Sequence, residues 1–204
     1  TMHCKVAVIG CGALGTVHGT LWHQRDNAEV LAVYDPLTDR AESLAETTGA
    51  TVCDSYQQAI NTDGVNAVSV CTPVCFHPEI SIYAAERSRH VITEKPIALT
   101  LGEADAMIAA AVENDVKLVV SYQYRGQAKN LLLRKLYRRG DFGGPVFLKY
   151  SDIREVRPKL AMHEKGGNGG PLIDMAGHYI DLMRFVTGDE PESVYAQGHV
   201  FGEG

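Results

Sequence analysis

Nowhere in this chain does an apolar run approach the roughly 20 residues of a membrane-spanning helix, so no membrane partner is expected. Positive charge is in deficit, with 19 Lys and Arg against 25 Asp and Glu and a formal net charge of −6. Nucleic acid is therefore not an expected partner, because its phosphates demand a basic surface. Disulfide chemistry is not signalled either. The five cysteines are odd in number and scattered as Cys4, Cys11, Cys53, Cys71 and Cys75, which suits a reduced, cytoplasmic setting. Cys71-x-x-x-Cys75 lacks a second Cys/His pair at metal-ligand spacing, so no metal is expected and both read as small buried apolar residues. There is no internal repeat and no low-complexity segment. The first strand is expected by Lys5, which leaves no room ahead of it for a signal peptide unless one was removed. At 204 residues the chain can bury a substantial core, as one domain or two small ones.

What the chain does have is a glycine turn in a telling place. Residues 6 to 15 read VAVIGCGALG, an apolar β-type run that breaks into Gly10-Cys11-Gly12-Ala13-Leu14-Gly15. In a dinucleotide fingerprint the first glycine allows the tight strand-to-helix turn, the second admits a pyrophosphate, and the third lets helix and strand pack closely. The helix beginning at Ala13 and Leu14 offers free N–H groups and a positive dipole end to that diphosphate. Asp35, at the end of the next apolar run, suits ribose hydroxyls and repels a 2′-phosphate, which favours NAD over NADP. Asp35 can alternatively serve only to start the turn with Pro36. Arg40 reads as a solvated helix residue rather than a phosphate ligand.

Apolar runs alternate with helix-period segments, the pattern of strand, crossover helix and parallel strand. Strands are expected near 5–10, 29–35, 51–53, 65–71, 90–93 and 117–122, with helices near 13–25, 38–48, 55–61, 77–88 and 101–114. Thr38 and Thr100 are candidate helix caps, and Gly49 a candidate helix stop. This is an α/β fold, a doubly wound parallel sheet over residues 1–122. The rhythm changes over 123–204, where a basic helix at 128–139, a strand at 146–154, a charged Gly-rich loop at 155–170, a helix at 171–187 and a strand at 192–201 suggest α+β. The cluster of Arg134, Lys135, Arg138 and Arg139 reads as a solvated face. Two strands with one helix are marginal as a module, so the chain is expected to continue past its C-terminal end in the full protein.

Polar groups recur at the expected carboxyl ends of strands, where such sheets bind ligands. Thr72 and Pro73 follow the fourth strand, and His77 either meets the cofactor or caps the next helix. Glu94 and Lys95 end the fifth strand; an acid and a base on one fixed turn can serve a ribose and a substrate hydroxyl, and the Lys95-Pro96 bond can be cis or trans. In Gly169-Gly170-Pro171-Leu172-Ile173-Asp174-Met175-Ala176-Gly177-His178-Tyr179-Ile180-Asp181, helical periodicity of about 100° per residue puts Asp174, His178 and Asp181 in one polar stripe among apolar faces. Asp174, one turn before His178, can orient and charge-stabilise an imidazole acting as general base. A satisfied core histidine with a capping aspartate is the alternative reading.

Together, VAVIGCGALGTVH, Asp35, CTPVCFHPEI, HVITEKPIALT, SYQYR and GGPLIDMAGHYIDLMRF, in that order, resemble the glucose-fructose oxidoreductase / inositol dehydrogenase / MocA family of nicotinamide-dependent oxidoreductases. The resemblance implies a Rossmann domain followed by an open-faced sheet domain that often mediates oligomerisation, hence a homo-oligomer, dimer or tetramer. It implies a sugar or polyol substrate. Lys95, Asp174 and His178 match the family's catalytic lysine, aspartate and histidine, while Gly10, Gly12, Gly15, Asp35, Thr72, Pro73, Glu94 and Gln123 match cofactor-contact positions. Members of that family are longer than this chain. His163, Glu164, Lys165 and Asn168, just before the matching helix, are either substrate contacts or part of a plain loop. The expected activity is hydride transfer between a secondary hydroxyl and NAD. The alternatives are a glycosidase that uses transient oxidation with recycled NAD, and a non-catalytic nucleotide-sensing regulator.

Overall fold

In the computed structural model, which describes residues 3–144, 147–151 and 170–198, the first apolar run is a strand buried from both sides. Along β1 (Cys4–Ile9), alternation sends Val6 and Val8 to one face and Ala7 and Ile9 to the other, and all four are fully buried. Both faces of the sheet must then be covered by helices, which explains why the strands read as continuous apolar runs. The other strands are β2 (Ala28–Tyr34), β3 (Thr51–Val52), β4 (Ala67–Val70), β5 (His90–Glu94) and β6 (Leu118–Ser121). All pair in parallel, in the order β3-β2-β1-β4-β5-β6.

Between them run α1 (Ala13–His23), α2 (Thr38–Thr48), α3 (Tyr56–Asn61), α4 (His77–Ala85) and α5 (Leu101–Glu113). One core cluster joins Ala7, Ile9 and Val68 to Ala59, Ile60, Ile80 and Ala84 of α3 and α4. The other joins Val6, Val8 and Val33 to Ala41 and Leu44 of α2, with Trp22 of α1 against it. The chain winds outward from β1 to β3, then returns to lay β4 on the other side of β1. That reversal opens a crevice at the carboxyl ends of β1 and β4, where ligands bind in this architecture.

The boundary signals hold in part. Thr100 caps α5 in a reciprocal capping box with Glu103, and Gly49 ends α2 at φ 75°. Thr38 caps nothing: it is the first residue of α2, whose N-cap is Leu37.

The described residues divide into two compact units, one of 3–122 with 170–177 and the other of 123–144, 147–151 and 178–198. The second contains α6 (Ala128–Arg138) and the later part of α7 (Gly170–Thr187). In it, Arg134 lies over the Phe185 ring at 4.3 Å and Arg139 pairs with Asp141 at 2.8 Å, so the basic cluster is partly engaged within its own unit. The strands expected at 146–154 and 192–201 are not formed at 147–151 and 192–198, where the backbone makes no ladder. A strand exists only with a partner strand. Their remaining residues, and His163, Glu164, Lys165 and Asn168, lie outside the described residues.

Candidate active site

The glycine turn shows what each of its glycines is for. Gly10 has φ +87°, and a Cβ there would sit 2.8 Å from the Cys71 carbonyl. A Cβ on Gly15 would lie 1.7 Å from the Gly10 oxygen, so helix and turn could not both keep their places. Gly12 differs, because a Cβ there would meet nothing within 4 Å. It faces open space, with no side chain to cap α1, and the first-turn N–H groups of Ala13 and Leu14 have no acceptor within the helix. This is a cradle for an anion approaching from outside the protein.

Asp35, buried at the end of β2, ties the turn down. Its Oδ2 accepts from the Cys11 N–H at 2.8 Å and its Oδ1 from the Leu37 N–H at 2.9 Å. The aspartate thus does start the turn at Pro36, and it also reaches the glycine loop one strand away. Burial, with the Asp35 carboxylate alongside, pushes the Cys11 thiol up to about 12. Cys71 is raised as well, chiefly by burial. The reading of both Cys71 and Cys75 as buried needs correction, since Cys71 is only partly buried and Cys75 is exposed on the loop after β4.

On that same loop Pro73 is exposed, and the buried Thr72 hydroxyl has no hydrogen-bond partner. His77 is a correction to the expected cofactor contact. It is fully buried at the start of α4, makes no cap, and places Nε2 3.0 Å from the Thr72 carbonyl and Nδ1 3.0 Å from the Pro96 carbonyl. Burial lowers its pKa, outweighing the carbonyls, which favour the charged ring. His77 therefore braces the two loops that follow β4 and β5 rather than facing a ligand.

The turn after β5 carries the densest polar chemistry. The Lys95-Pro96 peptide is cis. Lys95 Nζ donates to Asp174 Oδ1 at 2.7 Å and to the Asp174 main-chain carbonyl at 2.8 Å, and the two side chains are only 9% and 8% exposed. The expected partner of Asp174 was His178, but its carboxylate is committed to Lys95. His178, one turn further along α7, is buried and stacks on Tyr124 with ring centroids 4.5 Å apart. Asp181 completes the stripe by accepting the Arg125 guanidinium on both oxygens, with Nε to Oδ2 at 2.8 Å. Each polar residue on α7 thus has its own company, as a buried polar stripe requires. Gln123 is exposed in the 3-10 turn Gln123–Gly126 of the second unit.

Glu94 is buried, and its Oε1 is 3.0 Å from His18 Nε2, whose Nδ1 is 2.7 Å from Ser69 Oγ. Burial pushes Glu94 up, yet His18, the Ser121 hydroxyl and the Lys95 main-chain N–H outweigh it and hold its pKa below the ordinary carboxylate range. Its Oε2 has no partner at hydrogen-bonding geometry. His18 was missed by sequence reasoning. The available signal was a histidine on α1, three residues after Gly15; its partners lie 51 and 76 residues away.

An open glycine, uncapped helix N–H groups and two buried oxygens lacking partners, on Thr72 and Glu94, fit a polyhydroxylated diphosphate along this edge. Among the described residues no group of three or more His, Cys, Asp or Glu could hold a metal, and no helix is long and apolar enough to cross a membrane.

Residues 4–122 match the family described as "Oxidoreductase family, NAD-binding Rossmann fold", and residues 131–204 match the "GFO/IDH/MocA C-terminal domain". Myo-inositol 2-dehydrogenase of Thermotoga maritima is 31% identical over 199 residues, 96% of this chain and 58% of the relative. The scyllo-inositol 2-dehydrogenase (NAD(+)) of Bacillus subtilis is 29% identical over 199 residues, 96% of this chain and 57% of the relative. A solved oxidoreductase domain protein from Kribbella flavida aligns with a TM-score of 0.80 at 28% identity, covering 93% of this chain and 55% of that one. The chain spans little more than half the length of the relatives it matches.

Proposed function

Because the chain belongs to the Gfo/Idh/MocA oxidoreductase family, whose N-terminal domain is an NAD-binding Rossmann fold, we propose that the protein exchanges a hydride between NAD and a secondary hydroxyl of a sugar or polyol. Residues 1–122 form the cofactor domain in this reading, and 123–204 are the first part of the domain for substrate and self-association. The cofactor contacts are Gly10, Gly12, Ala13, Leu14, Gly15, Asp35, Thr72, Pro73, Glu94, Lys95 and Gln123. Unpaired cysteines at all five positions support a cytoplasmic location, and the family resemblance supports a homo-oligomer.

The observation that carries the reading is the Lys95 ammonium held by Asp174. An ammonium has three donors; Asp174 takes two, at 2.7 and 2.8 Å, and the third is left for a substrate oxygen. Asp174 holds the amine in a fixed direction. Bound NAD supplies the two-electron hydride acceptor. His178 takes the hydroxyl proton, and Lys95 donates to the same oxygen and stabilises the negative charge that develops on it as the ketone forms.

The test is to incubate the full-length protein with NAD+ and a panel of sugars and polyols while following absorbance of the reduced cofactor. His178→Asn is expected to keep NAD+ binding, and both His178→Asn and Lys95→Met to lower turnover by about 10²-fold or more. Wild-type rates in either variant would remove these roles.

A further inference from the structure

We propose that His18 is a positioning residue for the nicotinamide half of the cofactor, acting through Glu94. The inference rests on the NAD reading above and adds to it a residue outside the glycine turn. Glu94 can only accept, so the His18 nitrogen 3.0 Å from its Oε1 is the one that carries a proton. Ser69, fully buried in β4, holds the ring's other nitrogen at 2.7 Å and fixes its tilt. His18 is thus clamped between two strands, and together with the Ser121 hydroxyl and the Lys95 main-chain N–H it fixes the rotation of the Glu94 carboxylate. The result is a buried Oε2 with no protein donor at hydrogen-bonding geometry, an arrangement that costs free energy unless a ligand supplies one.

Strand order says which part of the ligand that is. Across the carboxyl edge come the ends of β2, β1, β4 and β5, and so in turn Asp35, the glycine turn, Thr72 and Glu94. Asp35 and Glu94 stand three strand positions apart, about 14 Å at ordinary spacing. With the diphosphate over the glycine turn, a ribose at Asp35 and a ribose at Glu94 must belong to opposite halves of one dinucleotide. Glu94 therefore accepts from a hydroxyl of the ribose that ADP lacks.

The experiment compares NAD+ and ADP binding by calorimetry to the full-length wild type, His18→Leu, His18→Gln and Glu94→Gln, with thermal unfolding recorded for each. His18→Leu is expected to weaken NAD+ about tenfold while leaving ADP within about twofold, and His18→Gln, which retains an amide donor, to recover most of the loss. Glu94→Gln should show the same selective loss, and it carries the test if His18→Leu does not fold. Equal weakening of both ligands, or unchanged NAD+ affinity in a folded His18→Leu, overturns the role of His18 alone. A wild type that binds neither ligand overturns the NAD reading itself.

Discussion

At the residue scale, the site is built from groups whose position is fixed by one or two neighbours. Lys95 and Asp174 are both nearly excluded from water, and a buried pair of this kind is a weak source of stability because desolvation offsets its attraction. Its value lies in geometry: two fixed contacts leave one donor of known direction. His77 is a ring whose pKa burial lowers even though two carbonyls lie 3.0 Å from its nitrogens. A histidine with a lowered folded pKa binds fewer protons folded than unfolded. Its contribution is therefore complete above the ordinary value of 6.5 and is lost as pH falls through and below it. Urea midpoints measured from pH 7.5 to 5 should fall more steeply for the wild type than for His77→Gln. Parallel slopes would show that His77 is not neutral in the folded protein.

At the element scale, the turn joining β1 to α1 separates folding from binding within six residues. Gly15→Ala puts a methyl onto the Gly10 carbonyl, a backbone clash, and should destabilise by about 3 kcal/mol or more. Gly12→Ala meets no protein atom, so it should leave the urea midpoint nearly unchanged and weaken NAD+ binding about tenfold. Equal loss of stability in both variants would show that Gly12 serves packing rather than a ligand.

The strands and helices up to residue 122 were legible in the sequence because apolar runs and glycine stops are local signals. The α7 stripe was legible for the same reason, since periodicity alone put Asp174, His178 and Asp181 together. What escaped was long-range. Nothing near Asp174 in sequence says that its carboxylate goes to Lys95, 79 residues away. His18 likewise reads as one more helix residue until β4 and β5 bring Ser69 and Glu94 to it. His77 was singled out, but its local alternatives, cap or ligand, both gave way to a contact with the loop at Pro96.

At the scale of the whole molecule, the two units differ in how their backbone is protected. In the first, β1 lies between β2 and β4, and β4 between β1 and β5, with buried residues on both faces. Their amides can exchange only when the sheet itself opens. In the second, α6 buries Asn130 alone, while Leu131 and Leu132 are about half exposed at 48% and 55%. A helix with so little buried surface opens locally, at a free energy well below that of global unfolding. Hydrogen exchange followed by mass spectrometry should show peptides from β1 and β4 as the slowest in the chain. Peptides from Ala128–Arg138 should exchange at least about 10²-fold faster, which corresponds to about 2.7 kcal/mol between local and global opening. Equal protection of α6 and β1 would mean that α6 does not open independently and that the two units unfold as one.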